Sequence, residues 1–159
     1  MFELSEFYTQ CRESGVDIIP FAGCPAPGAT IRDGEFYAIF LDFTKIHGIR
    51  LLKGVCCHEL GHAATGALHK VNSPYETVER SEYRANRYVA QRFLTREDFA
   101  QAFCAGCREK WELSDYFDLP EADVEKALTY WRERQGIDFS RSCAQEAKSA
   151  QNVDFSAGI

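Results

Sequence analysis

Residues 58–62 read H-E-L-G-H. On a helix, positions i and i+4 lie on one face about one turn apart, so His58 and His62 can offer imidazole nitrogens to a single metal ion. A zinc ion with three protein ligands keeps a fourth position for water, lowers that water's pKa toward neutrality and needs a nearby carboxylate to take the proton. Glu59 has the type and position for that base without having to be a ligand. The run from Leu51 to Gly66 has helical spacing, and its face Leu51, Val55, His58, Glu59, His62 begins apolar and turns polar. Two imidazoles and a carboxylate facing an interior need a metal or a dense hydrogen-bond network to satisfy them. The bland alternative is a pair of core histidines.

A third ligand is required, and two classes are open. In the long motif H-E-x-x-H-x-x-G-x-x-H a glycine turns the chain so that a third histidine reaches the metal. Here Gly66 and His69 each arrive one residue late, at the places after Thr65 and Leu68. In the other class a second helix supplies a glutamate, and the stretch from Glu76 to Leu94 offers Glu76, Glu79 and Glu82. Val78, Ala85, Val89 and Phe93 form a helical stripe that includes Glu82 and Asn86, while Glu79 sits to one side with Arg80 and Arg87. Periodicity favours Glu82, with Glu79 as the fallback. Asn86, one turn on, would face the site and could hydrogen-bond a ligating side chain.

H-E-L-G-H-A-A-T-G-A-L, followed by S-P-Y-E and then E-Y-R-A-N-R-Y-V-A-Q-R-F-L, resembles the ImmA/IrrE family of zinc metallopeptidases. The similarity runs from about residue 17 to about residue 134. It includes W-E-L-S-D-Y-F-D-L-P-E-A-D-V-E-K-A-L, a segment that members from Gram-positive bacteria and their mobile elements often carry. The resemblance implies that His58, His62 and Glu82 bind Zn2+ and that Glu59 is the catalytic base. It also implies a cytoplasmic endopeptidase whose protein substrate is a helix-turn-helix repressor of a mobile element or stress regulon. The chain departs from the family where the usual L-L-M-P reads R-F-L-T, and Asn86 stands where members carry Asp or Asn. Thr95 reads instead as the N-cap of a further helix with Glu97 and Asp98 in its first turn. The alternative function is a non-cleaving, zinc-bound regulatory module that sequesters a partner or senses zinc or redox state. A fourth protein ligand such as Cys57 or His69 would favour that alternative. His69, Tyr75, Tyr83 and Tyr88 are possible oxyanion donors, His69 first because it lies just beyond the metal helix.

The elements that must position these groups follow from pattern and punctuation. The chain has 159 residues, 45% of them hydrophobic, enough for one domain with a real core. The expected class is α+β: a small, mostly antiparallel sheet packed on a helical metallopeptidase core, with a helical C-terminal segment over about 95–134. The domain is expected to span 1–138, with a loosely packed Ser/Ala/Gln-rich tail over 139–159. Leu4, Phe7, Tyr8 and Cys11 have helical spacing and Gly15 ends that run. Strands are expected over 17–21, near Thr30–Ile31 and over 36–43, with Asp33-Gly34 as a hairpin turn and the last as an internal strand under the metal helix. In metallopeptidases of this type a sheet edge commonly holds an extended substrate. Helices are expected over 95–104, 108–117 and 120–134.

A net charge of −6 argues against a nucleic-acid surface, and the last helical pair, rich in Asp and Glu, would repel phosphates. It reads as a packing or partner surface. No apolar run is long enough to span a bilayer, and M-F-E-L-S-E has no signal character, so neither a membrane nor a nucleic-acid partner is expected. Seven cysteines, an odd number, suit a reducing compartment. Cys56 and Cys57 read as small core residues, and the lone C-x-x-C of Cys104 and Cys107 has no partner pair that would make it a metal site. His47 reads as a capping or surface residue.

Overall fold

The computed structural model describes residues 2–68 and 75–139. Along them run α1 (Leu4–Glu13), β1 (Val16–Pro20), β2 (Gly28–Asp33), β3 (Phe36–Leu41), α2 (Ile49–Thr65), α3 (Tyr75–Arg92), α4 (Arg96–Cys104), α5 (Lys110–Phe117) and α6 (Glu121–Thr129). α6 runs on into a π-helical turn, Tyr130–Arg134. The class is α+β, as the sequence pattern predicts.

The sheet is mixed, where the sequence suggested mostly antiparallel pairing. Its order is β1-β3-β2; β2 and β3 are antiparallel, but β1 and β3 are parallel, with Val16 opposite Tyr37 and Pro20 opposite Leu41. A two-residue turn commits β2 to one side of β3, so β1 can add only on the other. Asp33 pairs with Phe36, which places Gly34 and Glu35 at the turn, one residue beyond the expected Asp33-Gly34. Gly34 takes φ 61°, a conformation that a hairpin needs and a glycine adopts freely. The loop between β1 and β2 is strapped to the end of β3. Buried Asp42 accepts from the Gly23 N–H at 2.9 Å and donates its own N–H to the Pro27 carbonyl at 2.9 Å.

β3 is the internal strand, and Ile39 and Leu41 on its inner face are fully buried. That face lies under α2, which occupies the centre of the molecule. The helix begins after Gly48 and ends at Gly66, a left-handed C-cap with φ 61°. Lys53, Gly54, Cys56, Cys57, Glu59, Leu60, Gly61 and His62 are all buried, so the helix is enclosed by neighbours rather than amphipathic. Cys56 and Cys57 are core residues, as expected; burial pushes the Cys56 thiol up to about 12 and the Cys57 thiol well above its ordinary value.

The C-terminal helices form a second wall of the same core. Thr95 caps α4 through a reciprocal box with Asp98: its hydroxyl accepts from the Asp98 N–H, and the Asp98 carboxylate accepts from the Thr95 N–H at 2.9 Å. Phe99 and Phe117 meet edge to face at 5.0 Å, and Phe139 stacks on Phe103 at 5.4 Å. Phe139 is buried, so the core reaches past the expected boundary at 138; the remainder of the expected tail, 140–159, lies outside the described residues. Part of the C-terminal acidity is spent internally. Buried Lys53 pairs with Asp118 at 2.8 Å and Glu3 at 3.5 Å, and Arg50 pairs with Asp115 at 2.9 Å and Asp118 at 3.3 Å. These contacts tie α2 to the turn between α5 and α6. Cys107 is a free thiol whereas Cys104 is disulfide-bonded, so the C-x-x-C does not close on itself. No helix among the described residues is long and apolar enough to cross a membrane.

Candidate metal centre

α2 and α3 approach closely enough to bring three ligating atoms together. A Cβ on Gly61 would lie 2.8 Å from the Ala85 carbonyl oxygen, so only glycine allows this contact between the two helices. One turn before Ala85, Glu82 then reaches across to both histidines. Its Oε2 lies 3.3 Å from His58 Nε2 and its Oε1 3.3 Å from His62 Nε2, while the two Nε2 atoms are 3.1 Å apart. The group His58, His62 and Glu82 is the set among the described residues that could hold a metal ion. Glu79, the fallback, is exposed and outside it.

The imidazole of His62 is oriented from behind. Its Nδ1 lies 2.6 Å from the Ala67 carbonyl, which can only accept, so Nδ1 carries the proton and Nε2 is directed at the site. Ser81 donates to the same carbonyl, tying the start of α3 to the chain just past α2. Burial alone would push the His62 pKa down, but its hydrogen bonds to Glu82 and Ala67 and the nearby Glu59 and Glu82 charges outweigh burial and raise it. The Glu82 carboxyl is held well below the usual carboxylate range, by its hydrogen bond with His58 first and that with His62 second.

Glu59 is buried beside the group, and its Oε2 accepts a hydrogen bond from Thr30 Oγ1 at 2.8 Å. Thr30 lies on β2, the sheet edge nearer the site. A cleft of about 720 Å³ opens in front, with residues 25–31 on one side and Pro120, Ala122, Asp123 and Lys126 of the α6 region on the other. His58, Glu59, His62 and Glu82 line it together with the apolar Leu51, Val55 and Leu68. The arrangement can therefore hold a metal ion at the floor of a mostly apolar cleft with a carboxylate beside it.

The other expected site residues divide. Asn86 lines a small cavity with Cys57, His58 and Asp123. Tyr88 donates to Gln10 Oε1 at 3.5 Å and does not line the cleft, and Tyr83 is exposed near the Arg134 guanidinium. His69 and the side chain of Tyr75 lie outside the described residues. His47 is exposed. Sequence reasoning passed over Thr30, Gly28, Gly54 and Gly61. A lone strand threonine carries no signal, but a glycine inside a helix costs about 1 kcal/mol relative to alanine and so advertises a close approach. Comparison with family models, with curated proteins and with solved structures finds no match for this chain.

Proposed function

We propose that the protein is a zinc-dependent endopeptidase. The observation that carries the proposal is the convergence of His58, His62 and Glu82 with a buried carboxylate beside them, open to a cleft. Four ligands at about 2.0–2.1 Å around zinc leave donor atoms about 3.3 Å apart. Here the two Nε2 atoms are 3.1 Å apart and each lies 3.3 Å from a different oxygen of Glu82, so that with one oxygen as ligand the three donor atoms all fall within 4.8 Å of one another. Zinc, when bound, supplies Lewis-acid polarisation of the scissile carbonyl and a water more acidic than bulk. Glu59 accepts the proton of the attacking water and delivers it to the departing amine nitrogen, and His62 keeps its orientation through Ala67. β2, an edge of the sheet among the described residues, offers an extended substrate hydrogen bonds that do not depend on side-chain identity.

The regulatory part of the proposal rests on the resemblance to the ImmA/IrrE family: the substrate is a cytoplasmic helix-turn-helix repressor, encoded by an adjacent gene. The same three side chains would serve the non-cleaving module, whose fourth ligand would be Cys57 or His69; His69 lies outside the described residues. Among the described residues the group contains three side chains; Cys57, the nearby thiol, is buried outside it and held protonated. A metal site closed for structure has no use for Glu59.

The experiment compares wild type with Glu59→Gln, both zinc-loaded, on the neighbouring repressor. Wild type yields one or two discrete fragments, blocked by a chelator and restored by zinc, while Glu59→Gln keeps its zinc and cuts nothing. Full cleavage by Glu59→Gln with unchanged metal content would sink the mechanism. Rapid digestion of generic unfolded protein with the repressor left intact would sink the regulatory reading alone.

A further inference from the structure

We propose that Thr30 is a positioning residue for Glu59, dividing the carboxylate into one fixed oxygen and one free oxygen; the inference rests on the peptidase reading. Thr30 Oγ1 lies 2.8 Å from Glu59 Oε2 and 3.0 Å from the Glu59 carbonyl oxygen. A hydroxyl has a single proton, and an ionised carboxylate is the stronger acceptor, so the donation goes chiefly to Oε2. The other oxygen, Oε1, has no hydrogen bond among the described residues. No buried side-chain oxygen among the described residues lacks a partner, so Oε1 must be open to solvent, and the cleft is what Glu59 lines.

Gly28 completes the clamp from the same strand. Residues two apart on a strand share a face. A Cβ at Gly28 would come within 2.8 Å of Glu59 Cγ and 3.0 Å of Oε1, and within 2.6 Å of Val55 Cγ1. The bare glycine thus lets β2 backbone lie flat against the glutamate stem while leaving Oε1 uncovered. A general base works only when its reacting oxygen is aimed, and a free glutamate side chain has three torsions to lose. β2 fixes them from outside the helix that carries Glu59. The strand that aims the base is also the edge available to a substrate, so pairing a peptide with β2 stiffens the base's support at the moment it is needed.

The test uses the full chain, as Thr30→Val, which keeps shape and loses the hydroxyl, and Thr30→Ser, which keeps the hydroxyl. Three readouts apply: zinc content, kcat and KM on a quenched fluorescent peptide spanning the cleavage site, and the Glu59 carboxyl 13C resonance, assigned by its loss in Glu59→Gln. Thr30→Val should retain zinc, hold KM within about twofold and lose between about tenfold and a hundredfold in kcat. Thr30→Ser should keep kcat and leave the resonance in place, which Thr30→Val displaces. Wild-type kcat in Thr30→Val, or equal losses in Ser and Val, overturns the proposal. If wild type cuts nothing, the peptidase reading fails and the carboxyl resonance decides for Thr30: displaced in Val and not in Ser supports it, unmoved in both overturns it.

Discussion

Gly61→Ala tests whether the spacing of the ligands is set by the contact between α2 and α3. The added methyl would sit 2.8 Å from the Ala85 carbonyl oxygen and 3.2 Å from Ala85 C and Cα, all backbone atoms that no rotamer change can move. Relief requires the helices to separate by about 0.6 Å, the shortfall from ordinary van der Waals contact. Two terms oppose each other in stability: alanine gains about 1 kcal/mol of helix propensity, and overpacking costs about 1–3 kcal/mol. The net is a loss of about 0–2 kcal/mol, a modest change. The metal feels the separation more, because Glu82 comes from α3 and both histidines from α2. The distances from Glu82 to the two Nε2 atoms, 3.3 Å each, would then grow by about 0.6 Å, which loosens the grip of the three side chains on one ion. Zinc affinity should therefore fall at least about tenfold, or 1.4 kcal/mol, while the fold persists. Competition titration against a chromophoric chelator reads the affinity, and circular dichroism with thermal melts reads the fold. Unchanged affinity with a raised melting temperature would show that the contact is soft and that the ligand spacing is set elsewhere.

Protonation gives a second expectation. The His62 pKa is raised, so without metal its contribution to stability is full below the unfolded value of about 6.5 and is lost as pH rises through the folded one. The Glu82 pKa is lowered, so its contribution holds above about 4.3 and is lost as pH falls through the folded value. Chelated protein should melt lower at pH 8 than at pH 6, and the stabilisation by zinc should grow over that interval as the proton on His62 ceases to compete. A zinc-induced shift that shrinks with pH would contradict this assignment. Phe139→Ala removes a buried ring stacked on Phe103 and should cost about 3–5 kcal/mol by urea unfolding, where a true tail residue would cost nothing. Thr95→Ala breaks the box with Asp98 and should cost about 1 kcal/mol, read as a melting point lower by about 2–4 °C.

The chemistry was legible because it is local. His58, Glu59 and His62 sit within a helical turn, and the stripe through Glu82, Ala85 and Val89 separates Glu82 from Glu79 without knowledge of the fold; the structure brings Glu82, and not Glu79, to the histidines. The Thr95 cap was legible for the same reason. What failed was pairing across distance. β1 runs parallel to β3 because the β2–β3 turn occupies the other side, and nothing in the short apolar run after Gly15 records direction. The hairpin slipped by one residue because Asp-Gly and Gly-Glu both satisfy a turn, and the register of Asp33 with Phe36 decides between them. Phe139 looked like the start of a tail because its partners, Phe99 and Phe103, lie far back in the chain.

Gly54 has a Cβ position 2.6 Å from Asp123 Oδ2 and 2.8 Å from the Pro120 ring, so the front of α6 presses directly on α2 one turn before His58. α2 thus carries His58, Glu59 and His62, while the side of the cleft opposite β2 is lined some sixty residues later in the chain by Pro120, Ala122 and Lys126. Reaction and admission are inherited on separate stretches. Under the proposed function, substitutions along α6 would narrow, widen or recharge the entrance without touching a ligand or the base, so that clients could change while the chemistry stays as it is.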